Sequence, residues 1–389
     1  SAALEHGYTL ASIMNDAPIH QWDENAGIAW RPKNSPAVYD GPIRIREALA
    51  KSKNVVSVRL LRGVGIDNMI RHLQHFGFQA SDLPRNETLS LGSASLTPLE
   101  LVTGYAVFAN GGYLVTPYVI DKVLSEDGDI VYQHNPAIAC QQCDDAAVQQ
   151  AEQAPGEDAE AQLDQLFSNL PQDTATAPEG NVLSSDEIHQ APQVISPQNS
   201  FLIADAMKSS VWGGGSWQHG TGWNGTAWRL QSLKRRDISA KTGTTNDSKD
   251  TWFSGFTPNL AVTVWVGFDD ANRSLGRAQW HANMGQQQSA GAESGARTAL
   301  PAWLEYMQTA LQGEPEQQLP VPVGLASVRI DLQSGLLSRR TDYTSSFEYF
   351  KPGTEPTQYA GNDVQQISFD KSGDKKPDEE QQEDEIELF

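Results

Sequence analysis

Two short groups of polar residues, far apart in the chain, carry side chains suited to acyl transfer. Lys241-Thr242-Gly243-Thr244 begins a long apolar, strand-forming stretch, and Ser52-Lys53-Asn54 follows a segment of strong helix formers. Acyl transfer from a peptide requires a nucleophile, a base, a charged anchor for the substrate and donors for the developing oxyanion. Lys241 supplies a fixed positive charge, and Ser52 supplies a hydroxyl that can relay a proton. We therefore predict an acyl-transfer site built from both groups.

The other members of the two groups suit the same chemistry. Thr242 and Thr244 place hydroxyls at alternate strand positions, where they suit a substrate carboxylate, and the Thr244 backbone N–H offers a donor to an oxyanion. Gly243 lets a substrate backbone lie close to the strand. Asn54 offers an amide that orients an acyl side chain. Taken alone, each group also has a plain structural interpretation, as part of a hairpin or as a helix-end cap.

The composition disfavours two classes of function. The formal net charge is −21, and a phosphate-binding surface needs Lys and Arg in excess, so we expect no nucleic-acid partner. The sequence has no run of about 18 apolar residues, which a membrane-spanning helix needs. The stretch between Lys122 and Lys208 holds no Lys or Arg, so no basic side chain balances its Asp and Glu residues, and the end of the chain is a second acidic block. Such blocks are typical of solvated segments.

Changes in hydrophobic patterning divide the chain into four parts. Residues 1–133 have a globular pattern and contain the Ser52 group, and residues 134–193 form an acidic insertion rich in Gln and Ala. Residues 194–312 are patterned again and contain the Lys241 group. We expect residues 313–389 to be a C-terminal extension that ends in an acidic, disordered tail. A long polar insertion inside a compact domain is usually functional or disordered.

Local patterns predict the elements that hold the two groups. Thr97-Pro98-Leu99-Glu100 has the form of a capping box and predicts a helix that runs through Phe108. Ile238–Lys241, Asp250–Phe256 and Ala261–Phe268 predict consecutive strands, the last two joined as an antiparallel hairpin. The other predicted elements are strands at Tyr113–Ile120, Ile130–Tyr132 and Ser327–Leu332 and helices at Asn68–Phe76, Ala161–Phe167, Phe201–Met207 and Pro301–Leu311.

The two cysteines, Cys140 and Cys143, form a single C-x-x-C pattern. Three interpretations stay open, namely a local disulfide in an oxidising compartment, free thiols, or a metal site completed by His134 and distant His189. The pattern lacks the strand-to-helix setting of a thioredoxin motif. We expect the disulfide and no metal site.

Wider stretches of sequence are more specific than either group alone. They are Gly41 through Asn54, Leu96 through Gly112, Gly220–Gly222, Lys241–Phe256 and Val264–Asp269. In these stretches the chain resembles the transpeptidase domain of class A (bifunctional) penicillin-binding proteins, in particular the type 1A group of gammaproteobacteria. The resemblance covers nearly the whole chain, including the insertion, and thins in the tail.

This resemblance implies an α/β (α+β) fold of the penicilloyl-serine-transferase, or serine β-lactamase-like, type. In that fold helices flank an antiparallel five-stranded sheet, with Lys241 on the strand that borders the cleft and Ser52 and Asn54 on a loop opposite it. The implied activity is that of a serine-type DD-transpeptidase that cross-links peptidoglycan stem peptides at D-Ala–D-Ala, needs no cofactor and is sensitive to penicillin.

The same resemblance implies partners and a location. The partners are peptidoglycan stem peptides of a lipid-linked precursor, β-lactam antibiotics and an outer-membrane lipoprotein activator. The implied location is the periplasmic face of the bacterial inner membrane, with a single-pass anchor and a glycosyltransferase domain that are not in these 389 residues.

The family's nucleophile motif, a serine with a lysine three residues on, lies a few residues before the segment that matches Ser1–Gly7. We therefore expect the chain to begin just after its Ser-x-x-Lys motif, to lack the nucleophile helix and to be inactive alone. Two literal matches, Ser368–Lys371 and Ser372–Lys375, lie in the charged tail. A serine there has no packed helix to bury and activate it.

Two rival functions stay open. The first is a DD-carboxypeptidase or serine β-lactamase on the same fold, in which water replaces the amine as acceptor. The second is a non-enzymatic docking module that binds partners through its acidic surfaces.

Overall fold

The structure is a computed structural model that describes residues 1–19, 21–23, 28–140, 189–279 and 291–361. The helices in these ranges are α1 (Ala2–Glu5), α2 (Ile45–Ala50), α3 (Asn54–Val64), α4 (Ile66–Gln74), α5 (Pro98–Ala109), α6 (Pro197–Trp212) and α7 (Leu300–Ala310). The strands are β1 (Ile13–Asp16), β2 (Gln21–Asp23), β3 (Ile28–Trp30), β4 (Gly41–Arg44), β5 (Lys122–Leu124), β6 (Ile130–Gln133), β7 (Ser239–Thr244), β8 (Asp250–Thr257), β9 (Leu260–Gly267), β10 (Arg277–Ala278), β11 (Gly291–Ala292), β12 (Ala326–Asp331) and β13 (Ser345–Phe350).

The main sheet is antiparallel and has β8 at its centre, paired with β7 on one side and β9 on the other. All three strands occur where the sequence predicts them, and Pro258-Asn259 forms the two-residue connection between β8 and β9. The mixed helix-and-sheet class is confirmed. The sheet has three strands in the described residues rather than the implied five, because the other described strands pair as separate two-stranded ladders.

A large apolar core packs under this sheet. Phe253 of β8 and Trp303 of α7 are both fully buried, and their rings meet edge to face with centroids 5.3 Å apart. The Trp303 indole N–H donates to the Val262 carbonyl oxygen at 3.0 Å, so the one polar atom of this ring is satisfied inside the core. Burying two aromatic side chains stabilises the fold by roughly 2–3 kcal/mol each, which holds the sheet on α7.

Helix α6 fixes the position of β7 from the other side. The Ser210 hydroxyl donates to the Ala240 carbonyl oxygen at 2.5 Å, and the Ser239 hydroxyl donates to the Ala204 carbonyl oxygen at 2.7 Å. Both hydroxyls are buried, and a shift of the helix would leave the Ser239 hydroxyl and the Ala240 carbonyl without these partners. These two bonds therefore fix the position of β7 relative to α6, and with it the position of Lys241 in the candidate site.

The predicted helix start at Thr97 is confirmed. The Thr97 hydroxyl accepts from the Glu100 N–H at 3.2 Å, and the Glu100 carboxylate accepts from the Thr97 N–H at 2.7 Å. These reciprocal bonds satisfy two backbone donors that the first turn of α5 leaves without helical partners.

The strand predicted at Tyr113–Ile120 is wrong. Among the residues that the structure describes, only Tyr113 of this segment pairs, through an isolated bridge to Gln193. Pro117 lacks an N–H for a ladder, and the Val119 side chain is fully exposed, so this β-rich composition finds no neighbouring strand to pack on. The helix predicted at Ala161–Phe167 lies outside the described residues.

The C-terminal extension is bound to the rest of the protein by a buried ion cluster. Glu348 of β13, 2% exposed, accepts two hydrogen bonds from the Arg46 guanidinium at 2.6 and 2.7 Å. Arg46 also pairs with Asp205 of α6 at 2.6 Å. The β12–β13 hairpin is therefore held against α2 and α6. Where one domain ends and the next begins stays a prediction.

Candidate active site

Strand β7 brings Lys241 to Ser52 across 189 residues of sequence. The Lys241 ammonium donates to the Ser52 hydroxyl oxygen at 2.8 Å and to the Thr242 carbonyl oxygen at 3.0 Å. Lys241 is partly buried on the strand, and Ser52 lies in the turn between α2 and α3. The structure thus places the two predicted groups in one site, joined by their polar side chains.

Ser52 reaches Lys241 from an unusual backbone conformation. Its φ is 56°, in the left-handed region, which costs a residue with a side chain roughly 1–2 kcal/mol. Two hydrogen bonds close the turn, from the Ser52 N–H to the Leu49 carbonyl at 3.1 Å and from the Lys53 N–H to the Ala48 carbonyl at 2.9 Å. Strain of this kind persists only where surrounding contacts hold it, and it is enriched at functional sites.

Burial lowers the pKa of Lys241 to about 8, because the low-dielectric surroundings disfavour the charged ammonium. At neutral pH the group is still largely protonated and can attract an anion. A substrate carboxylate beside it would favour the charged form and raise the pKa again. The site is therefore suited to binding a carboxylate and to exchanging a proton with the Ser52 hydroxyl near neutral pH.

The Thr242 hydroxyl lies against Thr226, a residue that sequence reasoning missed. The two Oγ1 atoms are 3.0 Å apart, with Thr242 donating, and the Thr226 N–H donates to the Ala50 carbonyl at 3.1 Å. Thr226 therefore connects β7 to the end of α2, immediately before Ser52. In the sequence its only signal is a threonine after a glycine in a turn-rich segment, which no periodicity marks.

Two glycines bring another segment onto β7. The Gly295 N–H donates to the Thr244 hydroxyl oxygen at 3.0 Å, and a Cβ on Gly295 would lie 2.5 Å from the Gly243 carbonyl oxygen. A Cβ on Gly243 would lie 2.9 Å from the Trp252 Cβ of β8. Both positions thus need glycine for packing. The predicted role of Gly243 in admitting a substrate backbone stays a prediction, and Gly295 was not foreseen.

Asn54 begins α3, and its side-chain amide donates to the Lys33 carbonyl oxygen at 2.8 Å. This bond fixes residues near position 33 to the Ser52 turn. The predicted role of Asn54 in orienting an acyl group, like the substrate-binding roles of Thr242 and Thr244, stays a prediction.

The predicted cysteine pair lies away from these residues. Cys140 is disulfide-bonded, and Cys143, its predicted partner, lies outside the described residues, as do Ser368 and Ser372. The ring of His134, one of the two histidines considered for a metal, packs against Tyr118 with centroids 4.2 Å apart. Within the described ranges, no cluster of three His, Cys, Asp or Glu side chains could hold a metal ion.

Comparison with known proteins shows the family of the chain. The chain matches the model of the penicillin binding protein transpeptidase domain over residues 1–284. It is 47% identical to penicillin-binding protein 1A of Vibrio cholerae over 96% of the chain and 41% of that protein. It is 42% identical to penicillin-binding protein 1A of Escherichia coli over 94% of the chain and 43% of that protein.

Solved structures give the same result. The crystal structure of penicillin-binding protein 1A from Haemophilus influenzae aligns with a TM-score of 0.73 at 40% identity, covering 92% of the chain and 47% of that protein. PonA1 of Mycobacterium tuberculosis, solved in complex with penicillin V, aligns with a TM-score of 0.52 at 20% identity, a likeness of fold alone. The chain spans less than half the length of the type 1A relatives named. The family match and these identities place the chain in the penicillin-binding protein transpeptidase family.

Proposed function

We propose that the chain supplies the substrate-anchoring strand and the proton-relay turn of a peptidoglycan DD-transpeptidase. The observation that carries the proposal is the 2.8 Å contact between the Lys241 ammonium and the Ser52 hydroxyl, with Thr242 and Thr244 next along β7. A cation and hydroxyls on an edge strand fit the terminal carboxylate of a D-Ala–D-Ala peptide or the carboxylate of a β-lactam.

The proposed reaction has two steps. A serine oxygen attacks the carbonyl carbon of the penultimate D-Ala, a C–O bond forms, and the C–N bond to the terminal D-Ala breaks. The leaving amine takes up the serine proton, and Ser52 and Lys241 are placed to relay it. The amine of a neighbouring stem peptide then attacks the acyl ester, which forms the cross-link and restores the serine.

We place the nucleophilic serine and its lysine in a Ser-x-x-Lys segment outside these 389 residues. The same longer protein would carry the glycosyltransferase domain and the anchor in the inner membrane, with this portion in the periplasm. Among the residues the structure describes, no helix has the length and apolar character needed to cross a bilayer. A lipoprotein activator of the outer membrane is the proposed partner of residues 134–193.

The experiment is acylation by a fluorescent penicillin of a longer protein that includes the Ser-x-x-Lys segment. Lys241→Ala and Ser52→Ala should each slow labelling by about 10²-fold or more, since each removes a preorganised group. Lys122→Ala, which removes an exposed lysine of β5, is the control and should label at the normal rate. Unchanged labelling of Lys241→Ala would refute the assigned anchor.

Product analysis separates the proposal from its closest rival. Incubation with stem peptides should give cross-linked dimers from a transpeptidase, and shortened monomers alone from a carboxypeptidase. Rapid turnover of penicillin, rather than a long-lived acyl-enzyme, would favour a β-lactamase.

The 389-residue chain itself should form no covalent adduct with benzylpenicillin, as measured by intact-mass spectrometry. A one-to-one adduct on Ser52 would contradict this and would make the Ser52–Lys241 pair itself the nucleophile and base. An adduct on Ser368 or Ser372 would contradict the proposed origin of the nucleophile in the same way.

A further inference from the structure

The middle residue of the Ser52 group points away from the candidate site. The Lys53 side chain is only 8% exposed, and its ammonium lies 2.9 Å from an Asp16 carboxylate oxygen and 3.0 Å from an Asp40 carboxylate oxygen. The Val38 carbonyl accepts a third bond at 3.1 Å. Asp16 is fully buried. The family comparison and the acyl-transfer proposal assign no role to this buried cation.

The three groups that bind the Lys53 ammonium, the Asp16 and Asp40 carboxylates and the Val38 carbonyl, are called the Lys53 cage, and they belong to a continuous polar network. Asp16 also accepts from the Asn34 amide at 2.6 Å and from the Asp40 N–H at 2.9 Å. The Asn34 oxygen in turn accepts from the Val55 N–H at 3.2 Å. Strand β1, residues 34–40 and the first turn of α3 are therefore held together through one buried ammonium. Separating the partners of such a cluster would leave an uncompensated buried charge, which is strongly destabilising. The ion pairs therefore hold these segments in a fixed arrangement.

The network ends at the strained residue of the site. Ser52 directly precedes Lys53 and has the left-handed φ of 56° that brings its Oγ to Lys241. The Lys53 backbone is fixed from both directions, by its N–H bond to the Ala48 carbonyl and by the cage around its side chain. A strained conformation needs neighbours that hold it, and Lys53 is the adjacent residue that is anchored most deeply.

We propose that Lys53 is a positioning residue for acyl transfer. Its buried ammonium holds the turn so that the Ser52 hydroxyl lies against Lys241, without itself touching substrate. This inference rests on the proposed function, because it assigns the role through Ser52. It predicts that loss of the cage slows the acylation step while the carboxylate site on β7 stays in place.

The test compares acylation kinetics in the longer protein that carries the Ser-x-x-Lys segment. Lys53→Met/Asp16→Asn removes the cation and one anion together, so that no lone charge is left buried. The acylation rate constant should fall by about 10- to 10²-fold, the size of effect expected when a reacting group is misplaced by about 1 Å. The final labelled fraction should stay near that of the unmodified protein, because a partly unfolded sample loses labelled fraction and not rate.

A control removes a more exposed Lys–Glu ion pair elsewhere. Lys351→Met/Glu5→Gln deletes a pair at 2.8 Å that does not touch the Ser52 turn, and its rate should be unchanged. If Lys53→Met/Asp16→Asn fails to fold, Lys53→Gln/Asp16→Asn keeps a donor toward residue 16 without leaving a lone buried charge and should also lower the rate. An unchanged rate constant in either Lys53 variant overturns the proposal.

A double-mutant cycle with Ser52→Ala separates positioning from a general structural role. If Lys53 acts through Ser52, replacing Lys53 and Asp16 in the Ser52→Ala background should cost no further rate. A full additional loss there would overturn the proposal. Failure of the unmodified protein to react with penicillin would instead refute the proposed function.

Discussion

The lowered pKa of Lys241 predicts a pH dependence of acylation that can be worked out in advance. An ordinary lysine, with a pKa near 10.5, stays about 97% protonated at pH 9. With a pKa of about 8, Lys241 is about 91% protonated at pH 7 and about 9% protonated at pH 9. The form that anchors a carboxylate therefore falls about tenfold between these two pH values.

The assay is the second-order acylation rate constant of the longer protein with benzylpenicillin, measured from pH 6 to pH 10. This constant reports ionisations of the free enzyme. The decline of the rate constant at high pH, called its basic limb, should therefore have a midpoint near pH 8. The direction follows from the cause, since burial disfavours the cation and moves deprotonation to lower pH. The methyl ester of the same penicillin has no carboxylate to anchor, so its rate should show a weaker limb, which reflects only the proton relay through Lys241.

A second control changes the anchor and leaves the ligand as it is. Lys241→Arg keeps its positive charge throughout the range, since a guanidinium does not lose its proton below pH 12. Its rate should be lower but free of the basic limb. A limb that lies above pH 10, or one that the methyl ester shows equally, would refute the assignment of Lys241 as the charged anchor.

Three further outcomes follow from other contacts. Thr226→Val should slow acylation by about tenfold and lower the free energy of unfolding by about 1 kcal/mol, whereas Thr226→Ser keeps the bond and should do neither. Deleting residues 141–188 should leave acylation within about twofold, and a larger loss would mean that this segment supports the site. Glu348→Ala should lower the free energy of unfolding by about 3–5 kcal/mol in urea titrations because Arg46 loses its bidentate partner, and a loss below about 1 kcal/mol would contradict the buried pair.

The parts of the fold that depend on local rules were predictable. The capping box at Thr97 acts within four residues, and β8 and β9 combine strand-forming composition with a two-residue turn. The strand expected at Tyr113–Ile120 has similar composition, but pairing needs a neighbour that local sequence does not encode. The chemistry of Lys241 and Ser52 suggested a shared site, and the family resemblance made the prediction specific, because neither group specifies its distant partner.

The residues that sequence reasoning missed all act over long distances in the chain. Thr226 matters because it lies between the end of α2 and β7, and Gly295 matters because a segment 51 residues beyond Thr244 packs on the strand. Lys53 had no assigned role between Ser52 and Asn54 in the sequence, and its contacts with Asp16 and Asp40 give it one. Burial of a polar side chain depends on the assembled structure, so no local sequence pattern predicts it.

The ion cluster of Arg46 has a consequence for the order in which the protein can fold during synthesis. Arg46 pairs with Asp205 and with Glu348, but Glu348 is 302 residues away, so the carboxylate that accepts two of the arginine's hydrogen bonds leaves the ribosome long after α2 and α6. Until then α2 cannot bury Arg46 against α6 without an incompletely paired charge. The helix that leads into Ser52 therefore completes its packing only after β13 has been made. A ribosome stalled before residue 348 would hold a nascent chain whose Ser52 turn is still unfinished.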